Sequence, residues 1–338
     1  NPTESFTFDS TNSATLTVKD RHWRAGRFET VSLSDLKDRA RAKCSPGAAK
    51  HARLWVLEGA SPVTDIGALQ ASSSDALFQV ASQFNCLESP GQYITDVADY
   101  FNDWTQGPRA SISAFPATLL RHYSAPGADK KCFVQQSDGE QIDLLANACG
   151  KRVSRNGYFS GANLSDPKST VASLETCFDK IQVGVHDDVQ VVLGYNWDGK
   201  VADSEHRRIA QVFTSTVSGG GNGAEKHLGE FFLAASRHLL RAAYLGTLLS
   251  AVCVGRKRVV LTLIGGGVFH NPINLIWESI EWALDKVQPF LAENLDVVVN
   301  GHNLRAQVDV DKVIVPAVRE RGGIVFSFDS AGLTAIHR

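Results

Sequence analysis

The second half of the chain alternates short β-branched runs with longer amphipathic segments, and this alternation restricts the folds that the sequence can adopt. Predicted helices cover residues 169–180, 226–252 and 272–291, and predicted strands cover residues 181–185, 189–193, 209–214, 258–264, 295–299 and 323–328. Strands that alternate with helices of this length indicate a mainly parallel sheet with helices on both faces. The sequence therefore predicts a three-layer α/β/α fold around a mostly parallel central sheet.

The N-terminal part of the chain carries fewer regular elements than the second half. Ser32 is the predicted cap of a short helix over residues 32–42, and residues 51–57 predict a strand. No internal repeat and no clear linker divides the chain. We therefore predict an N-terminal extension over residues 1–60 that packs on a single α/β domain over residues 61–338.

Charge and hydropathy exclude two classes of partner. The 338 residues include 34 Lys and Arg against 36 Asp and Glu, which gives a formal net charge of −2. Proteins that bind nucleic acids or anionic membranes usually present a clearly basic face, which this balance does not suggest. The longest charge-free apolar stretch of the second half, residues 242–255, falls short of the roughly 20 residues that a helix needs to cross a bilayer. We expect neither a nucleic-acid nor a membrane partner.

The cysteines and the N-terminus point to a reducing compartment. The six cysteines stand at positions 44, 86, 132, 149, 177 and 253. They form no C-x-x-C pair and no zinc-ligand spacing, so we favour buried thiols over disulfides and predict no metal site. The first residues show neither a basic nor an apolar signal region. These observations together predict a cytoplasmic protein.

A triple-glycine turn follows the strongest predicted strand. Residues 259–264 are apolar and β-branched, Gly265, Gly266 and Gly267 follow, and a helix is predicted from Pro272. Glycines let backbone N–H groups face an anion, and a helix N-terminus adds a favourable dipole, so this turn is a candidate phosphate cradle. The alternative is a tight connection between strand and helix without a ligand.

The pattern around this turn excludes two common nucleotide-binding motifs. A dinucleotide-binding fingerprint would need glycine where the chain has His270, and no Gly-Lys-Ser/Thr follows as in a P-loop. A dehydrogenase or P-loop NTPase is therefore disfavoured.

A first polar turn follows the apolar run at residues 77–81. It contains Gln83, Asn85 and Glu88. Asn and Gln at a strand end can hydrogen-bond ribose hydroxyls or the edge of an adenine, and they can equally cap the turn itself.

A second polar turn, residues 103–108, opens another predicted helix. Thr105, Gln106 and Gly107 offer a hydroxyl and free N–H groups to a phosphate, with Asp103 beside them. The alternative interpretation is ordinary helix capping.

A group of acidic residues occurs at a predicted break between two strands. Asp187 and Asp188 lie at this break, and Asp198 follows in the next turn. Side chains alternate along an extended chain, so we expect only one of the adjacent pair to enter a site. The alternative is that all three are turn acids that face water. His186 could act as a base, although a structural histidine is favoured.

Four segments, taken in order along the chain, resemble one family. They read F-Q-V-A-S-Q-F-N-C-L-E at residues 78–88, D-x-T-Q-G-P at 103–108, V-H-x-D-V at 185–189, and L-T-L-I-G-G-G-V-F-x-N at 261–271. This series is similar to that of the MavL-like arginine-specific macrodomain (ADP-ribosyl)hydrolases, over roughly residues 75 to 300. The resemblance implies a macrodomain-like catalytic domain at residues 61–338, with ADP-ribose as its ligand and no cofactor required.

The same resemblance implies roles for the glycine turn and a reaction. Residues Gly265, Gly266, Gly267 and Val268 would donate backbone hydrogen bonds to the diphosphate, Phe269 would lie by the distal ribose, and Asn271 would help to close the turn. The implied reaction removes mono-ADP-ribose from arginine side chains of a modified protein, and the family resemblance suggests ubiquitin as one such carrier.

Removal of ADP-ribose from arginine needs acids in the site. A guanidinium keeps its proton up to a pKa above about 12, and a carboxylate matches its planar fork. A second carboxylate can activate water or stabilise positive charge on the ribose, as in glycosidases. We therefore predict Asp188 as the acid that activates water or faces the oxocarbenium ion, with Asp187 or Asp198 contacting guanidinium. The alternatives are a non-catalytic ADP-ribose reader and an NAD-consuming ADP-ribosyltransferase.

Overall fold

The fold is described from a computed structural model. The structure describes residues 5–44, 50–59, 63–127, 131–150, 153–162, 164–197, 200–201, 207–220, 223–329 and 332–335.

The strands and helices follow one another along the whole chain. The strands are β1 (Phe6–Phe8), β2 (Ala14–Val18), β3 (Arg21–Ser32), β4 (Ala52–Gly59), β5 (Ala76–Ala81), β6 (Ala125–Pro126), β7 (Cys132–Phe133), β8 (Gln182–Gln190), β9 (Arg208–Thr214), β10 (Arg258–Thr262), β11 (Leu295–His302), β12 (Val325–Asp329) and β13 (Gly332–Ala335). The helices are α1 (Leu33–Lys43), α2 (Ile66–Ser72), α3 (Gln106–Ser113), α4 (Phe115–Tyr123), α5 (Ala146–Cys149), α6 (Pro167–Thr176), α7 (Ala224–Leu228), α8 (Phe232–Val254), α9 (Ile273–Val287) and α10 (Val315–Glu320).

A large central sheet organises the molecule. Its strand order is β1-β2-β3-β8-β9-β5-β10-β11-β4-β12-β13. The strands from β9 to β12 in this order are all parallel, whereas β8 and β13 pair antiparallel at the two ends of that block. The predicted sheet with a parallel centre is therefore confirmed, with antiparallel strands added at its margins.

Buried glutamines show that helices cover both faces of the sheet. Gln79 in β5 donates a hydrogen bond to Thr247 in α8. Gln211 in β9 is the register partner of Phe78, the neighbour of Gln79, so strand alternation turns it to the opposite face. There it donates to the carbonyl of Ala110 in α3. The α8 and α3 layers thus enclose the sheet, and the predicted three-layer architecture is confirmed.

Two predicted strands form one bulged strand. Residues 181–185 and 189–193 were predicted as separate strands, but β8 runs through Gln182–Gln190. Its register on β9 shifts between His186 and Val189, and Asp188 has a φ of 59°. A β-bulge of this kind bends a strand without ending it, which a sequence pattern reads as a break.

The predicted helix over residues 226–252 is two helices. The short α7 ends before Gly229, whose φ of 53° belongs to the left-handed region, and α8 begins at Phe232. Helix α8 ends at Gly255, which has a φ of 75° and caps the last turn.

The N-terminal segment supplies strands to the central sheet. Strand β4 lies between β11 and β12, and β3 lies between β2 and β8. Main-chain pairing is therefore continuous across position 60, while the division of the chain into 1–60 and 61–338 stays a prediction.

Two further sequence expectations concern thiols and membrane spans. The cysteines are free thiols, as predicted, but only Cys86 is fully buried and Cys132 is exposed, so the expectation of mostly buried thiols is wrong. Within the described ranges, no helix has both the length and the apolar character that a membrane crossing requires.

Candidate active site

A cleft of about 340 Å³ opens at the carboxyl ends of β5 and β10. Its walls come from residues 81–90, 103–108 and 262–269, with Tyr158 and His302 at the sides. Carboxyl ends of neighbouring parallel strands meet at one edge of a sheet, where α/β proteins bind ligands. The triple-glycine turn and the Thr-Gln-Gly-Pro turn, predicted to share a site, therefore face one cavity.

A second lobe of about 360 Å³ adjoins this cleft. The lobes share Trp104 and Gln106, and the second lobe adds Asp65, Arg109 and Asn300. Asn300 Oδ1 is buried and accepts no hydrogen bond from any described residue. Together the lobes form an elongated groove across the ends of β5, β10, β11 and β4.

The glycine turn is held by one asparagine side chain. Asn271 Nδ2 donates to the carbonyls of Val217 at 2.9 Å, Gly265 at 3.3 Å and Phe269 at 3.4 Å. The prediction that Asn271 closes this turn is confirmed, and its side-chain N–H groups bond to backbone carbonyls of the protein. Gly265 has a φ of 74°, and a Cβ there would collide with Thr216.

The three glycines are not equivalent in this turn. The Gly266 amide donates to the carbonyl of Leu263 at 3.0 Å, and a Cβ there would face Ile276 in the interior. The prediction that Gly266 donates to a ligand is therefore wrong. A Cβ on Gly267 would meet nothing within 4 Å, and Gly267, Val268 and Phe269 all line the cleft.

The side-chain amides of the first polar turn, Gln83 and Asn85, form hydrogen bonds within the protein. Gln83 accepts from the Ser89 amide at 3.1 Å and donates to the Ser89 carbonyl at 3.0 Å. Asn85 accepts from Leu87 N and donates to Gln141, and it does not line the cleft. Both amides stabilise the turn that presents Glu88. Asn85 lies off the cleft, contrary to prediction, whereas Gln83 lines the cleft and its ligand contact stays a prediction.

The second polar turn is built in the same way. Gln106 accepts from Ala81 N at 2.8 Å and donates to Gln79 O at 3.1 Å, so its amide joins α3 to the end of β5. Thr105 donates its hydroxyl and its amide to Asp103 Oδ1. Gly107 lets α3 approach β5, because a Cβ there would collide with the Ala81 carbonyl. The Gln106 side chain is therefore used within the protein, while phosphate binding by the backbone N–H groups of this turn stays a prediction.

Glu88 is the unusual group of the cleft. Its exposed fraction is 2%, and neither carboxylate oxygen accepts a hydrogen bond from a described residue. Burial raises its pKa to about 8, while Arg121 and the nearby hydroxyls of Ser111 and Tyr100 oppose the rise. Glu88 is therefore mostly protonated at neutral pH and keeps a proton to donate. Asp103, half-buried on the same wall, supplies a second carboxyl group.

The acids predicted to be catalytic lie at the other end of the sheet. Strand β8 is antiparallel to β9, so its carboxyl end points away from the cleft. Asp187 pairs with Arg256 at 2.8 Å, and Asp188 pairs with Arg24 at 2.7 Å and Arg208 at 3.2 Å. The prediction that Asp187 and Asp188 enter the site is wrong, because the sequence does not reveal strand direction.

Two further residues of this region, Asp198 and His186, were considered for the site. Asp198 lies outside the described residues. His186 is fully buried, and its ring nitrogens contact the Ala25 carbonyl at 2.7 Å and Arg121 at 3.3 Å. His186 is therefore a structural histidine, as favoured.

Sequence reasoning missed the residues of the second lobe. Asp65 pairs with Arg109 at 2.7 Å, and the Arg109 guanidinium lies over the Trp104 ring at 5.2 Å. The signal for Asp65 and Asn300 was their position after predicted strands. Asn300 directly follows the strand predicted at residues 295–299, and Asp65 lies in the connection after the strand predicted at residues 51–57. It could be used only once β11 was known to neighbour β10, and β4 to neighbour β11. Among the described residues, no cluster of three or more His, Cys, Asp or Glu could hold a metal ion.

The chain was compared with known proteins in three ways. No protein-family model and no curated protein matches it. Among solved structures it is similar to the poly(ADP-ribose) glycohydrolase from Thermomonospora curvata, with 14% identity, a TM-score of 0.46 and coverage of 88% of this chain and 87% of that one. It is also similar to the poly(ADP-ribose) glycohydrolase from Deinococcus radiodurans in complex with ADP-ribose, with 13% identity, a TM-score of 0.46 and coverage of 87% and 93%.

Proposed function

We propose that the groove binds ADP-ribose and that the protein hydrolyses the glycosidic bond at the anomeric carbon of its terminal ribose. The observation that carries the proposal is Glu88, a buried carboxyl group that accepts no hydrogen bond from the described residues and opens onto a cleft edged by a glycine turn. Burial of an ionisable group costs stability, so a buried carboxyl group at a cleft is a candidate functional group. Raised carboxyl pKa values are typical of general acids.

The shape of the groove suits a ligand with two ends joined by a diphosphate. Gly267 lines both lobes and Val268 lines the first, and backbone turns of this kind bind phosphate oxygens. In the second lobe, the unpartnered Asn300 Oδ1 can accept a hydrogen bond from the exocyclic amine of adenine. The terminal ribose then lies in the first lobe, beside Glu88 and Phe269.

The reaction follows from two carboxyl groups in one lobe. The oxygen of a water molecule forms a bond to the anomeric carbon while the bond to the leaving atom breaks. Glu88 gives its proton to the leaving atom, and Asp103 orients the water and accepts a proton from it. ADP-ribose and the unmodified side chain are the products.

The finer proposal is that the leaving group is the guanidine of an arginine side chain. It is supported by the resemblance of the four ordered segments and by the rim of the groove. Trp104 is 58% exposed at this rim, beside the Asp103 carboxyl group, and indole rings attract guanidinium groups. The Arg109 guanidinium, over the same ring, illustrates this contact. Asp187 and Asp188 have no part in the proposal.

A second candidate function is a reader that binds ADP-ribose without turnover. The distance of Asp187 and Asp188 from the groove favours it, since the acids first expected to hydrolyse the bond are absent there. The two candidates differ in one measurable property, the release of free ADP-ribose.

The test uses peptides that carry ADP-ribose on arginine, glutamate or serine, and ubiquitin modified on arginine. We expect release from the arginine-linked substrates, and Glu88→Gln should lower kcat by about 100-fold or more while ADP-ribose affinity, measured by calorimetry, stays within about threefold. Asp188→Asn is the matched control and should keep wild-type turnover. Binding without release from any substrate would establish the reader, and release only from glutamate or serine would remove the arginine proposal.

A further inference from the structure

Beneath the Glu88 wall of the cleft, helix α4 carries a fully buried arginine. Arg121 donates from Nε to the carbonyl of Cys86 at 3.1 Å and from its terminal nitrogens to Ser111 Oγ at 3.2 Å and Thr118 Oγ1 at 3.4 Å. The fourth hydrogen-bond partner of its guanidinium is His186 Nδ1 at 3.3 Å. All four partners are uncharged acceptors.

Arg121 forms no ion pair with a carboxylate of the described residues. Its guanidinium stacks on the Phe213 ring with 3.6 Å between Cζ and the ring centroid, and no carboxylate of the described chain lies within ion-pair distance. Burial lowers the pKa of Arg121, but a guanidinium starts so high that it stays protonated. A buried cation without a paired anion is costly to the fold. The arrangement therefore calls for an explanation beyond stability.

Arg121 and Glu88 are linked through the backbone between them. Arg121 holds the carbonyl of Cys86, two residues before Glu88. On the other side, the Glu88 amide donates to Tyr100 Oη at 2.8 Å, and Tyr100 Oη lies 2.6 Å from Nε2 of His122, the neighbour of Arg121 on α4. Helix α4 thus holds residues 86–88 at both ends and fixes where the Glu88 carboxyl group enters the cleft.

The titratable groups around Glu88 leave Arg121 as its one cationic neighbour within the described part of the chain. Burial and Arg121 lower the pKa of His122 to about 3 and lower the pKa of His186 well below its usual value, so both rings are neutral. Burial raises the pKa of Cys86 and of Tyr100, which are therefore neutral too. Asp103 is the neighbouring acid, and its charge favours the protonated form of Glu88.

We infer that Arg121 is a positioning residue. It fixes the Glu88 carboxyl group, and its buried charge governs the protonation of Glu88. The inference rests on the proposed function of Glu88 as the acid. Arg121 touches no part of the groove, so its effect passes through Glu88.

The test compares three variants of the full chain. Arg121→Met and Arg121→Gln both remove the charge, and Thr118→Val removes one neutral partner of the guanidinium as the matched control. Infrared difference spectra against Glu88→Gln follow the protonated carboxyl band of Glu88 over pH, and the pH profile of kcat/KM is measured beside them. We expect the Glu88 midpoint to rise by about 1 to 2 pH units in both Arg121 variants and to move by less than about half a unit in Thr118→Val.

The outcomes separate this inference from the proposed function. A folded Arg121→Met protein with an unmoved Glu88 midpoint overturns the inference. If Arg121→Met does not fold, Arg121→Gln carries the test: a Glu88 midpoint that rises by about one unit or more supports the inference, and one that moves by less overturns it. The infrared midpoint needs no turnover, so a wild-type protein without activity would remove the proposed function while the titration of Glu88 still tests the role of Arg121.

Discussion

At the scale of single residues, Glu88 combines properties that a protein interior rarely tolerates. It is buried, it lacks hydrogen-bond partners among the described residues, and its carboxyl group nevertheless opens onto the cleft. The sequence placed Glu88 among ligand-binding residues because it belongs to the polar turn that follows a predicted strand. Its protonation could not be read from the sequence, since it depends on burial by α3 and on a cation from α4.

Replacement of Glu88 by glutamine should stabilise the protein in a way that depends on pH. The folded-state pKa of about 8 lies above that of an unfolded glutamate, so the carboxyl group contributes stability at low pH that is lost as pH rises from about 4.5 to 8. Glutamine has no such loss. We expect Glu88→Gln to exceed the wild type in free energy of unfolding by on the order of 3 kcal/mol at pH 7, measured by urea denaturation.

The difference between the two proteins should shrink toward zero near pH 4.5, which serves as the internal control. An advantage of Glu88→Gln that is equal at pH 4.5 and pH 8 would contradict the raised pKa. It would show instead that glutamine simply packs better at this position.

Other side chains show where reasoning from residue type alone ends. Gln83 and Gln106 were predicted to contribute to a ligand site, and both line the cleft, yet the Gln83 side chain holds the backbone of its own turn and the Gln106 side chain holds the backbone of β5. A glutamine that binds a ligand and one that fixes a loop occur in the same polar surroundings. Only the position of the neighbouring backbone decides between these roles.

At the scale of elements, the bulge in β8 explains why two acids that resemble a catalytic pair are structural. Asp188 takes a left-handed conformation and bridges Arg24 and Arg208, while Gly26 lies against the bulge with no room for a Cβ. We expect Asp188→Asn to lose about 1 kcal/mol of unfolding free energy, because it weakens two half-exposed ion pairs. Its kcat/KM on the substrates above should stay within about twofold of the wild type.

Thermal unfolding and turnover of the same Asp188→Asn preparation check this prediction. A large loss of turnover in a protein that is fully folded would mean that the bulge communicates with the cleft across the sheet. It would also restore the catalytic interpretation that the sequence suggested.

The glycine turn makes a prediction in which two neighbouring glycines differ. A Cβ on Gly267 meets nothing within 4 Å but projects beside the groove, whereas Gly265 combines a φ of 74° with a collision against Thr216. Gly267→Val should therefore fold normally and lower ADP-ribose affinity by about tenfold or more. Gly265→Ala should lose about 1 to 3 kcal/mol of stability.

Calorimetry with ADP-ribose and thermal unfolding of both variants separate these effects. Gly267→Val with unchanged affinity would show that the phosphates lie elsewhere in the groove. Wild-type stability of Gly265→Ala would contradict the geometry described for the turn.

At the scale of the whole molecule, the sequence predicts the layers but not the order of the strands. Alternating β-branched and amphipathic segments follow from local periodicity, and this part of the fold was predicted correctly. The place of β4 between β11 and β12 depends on pairing between residues more than 200 positions apart, which no local pattern contains. Because Asp65 and Asn300 meet only through that pairing, the second lobe was not predicted.

The groove exists only in the folded sheet, since its walls come from residues 64 to 307. A ligand that fills both lobes should therefore bind the native state alone, and ADP-ribose at 100 times its Kd should raise the unfolding free energy by about 2.7 kcal/mol. AMP and ribose 5-phosphate, as halves of the ligand, should each stabilise less at equal concentration. Asn300→Leu, which removes the acceptor in the second lobe, should abolish the stabilisation by AMP and leave that by ribose 5-phosphate unchanged. Thermal unfolding with each ligand measures all four effects, and equal loss for both halves in Asn300→Leu would mean that the adenine does not occupy the second lobe.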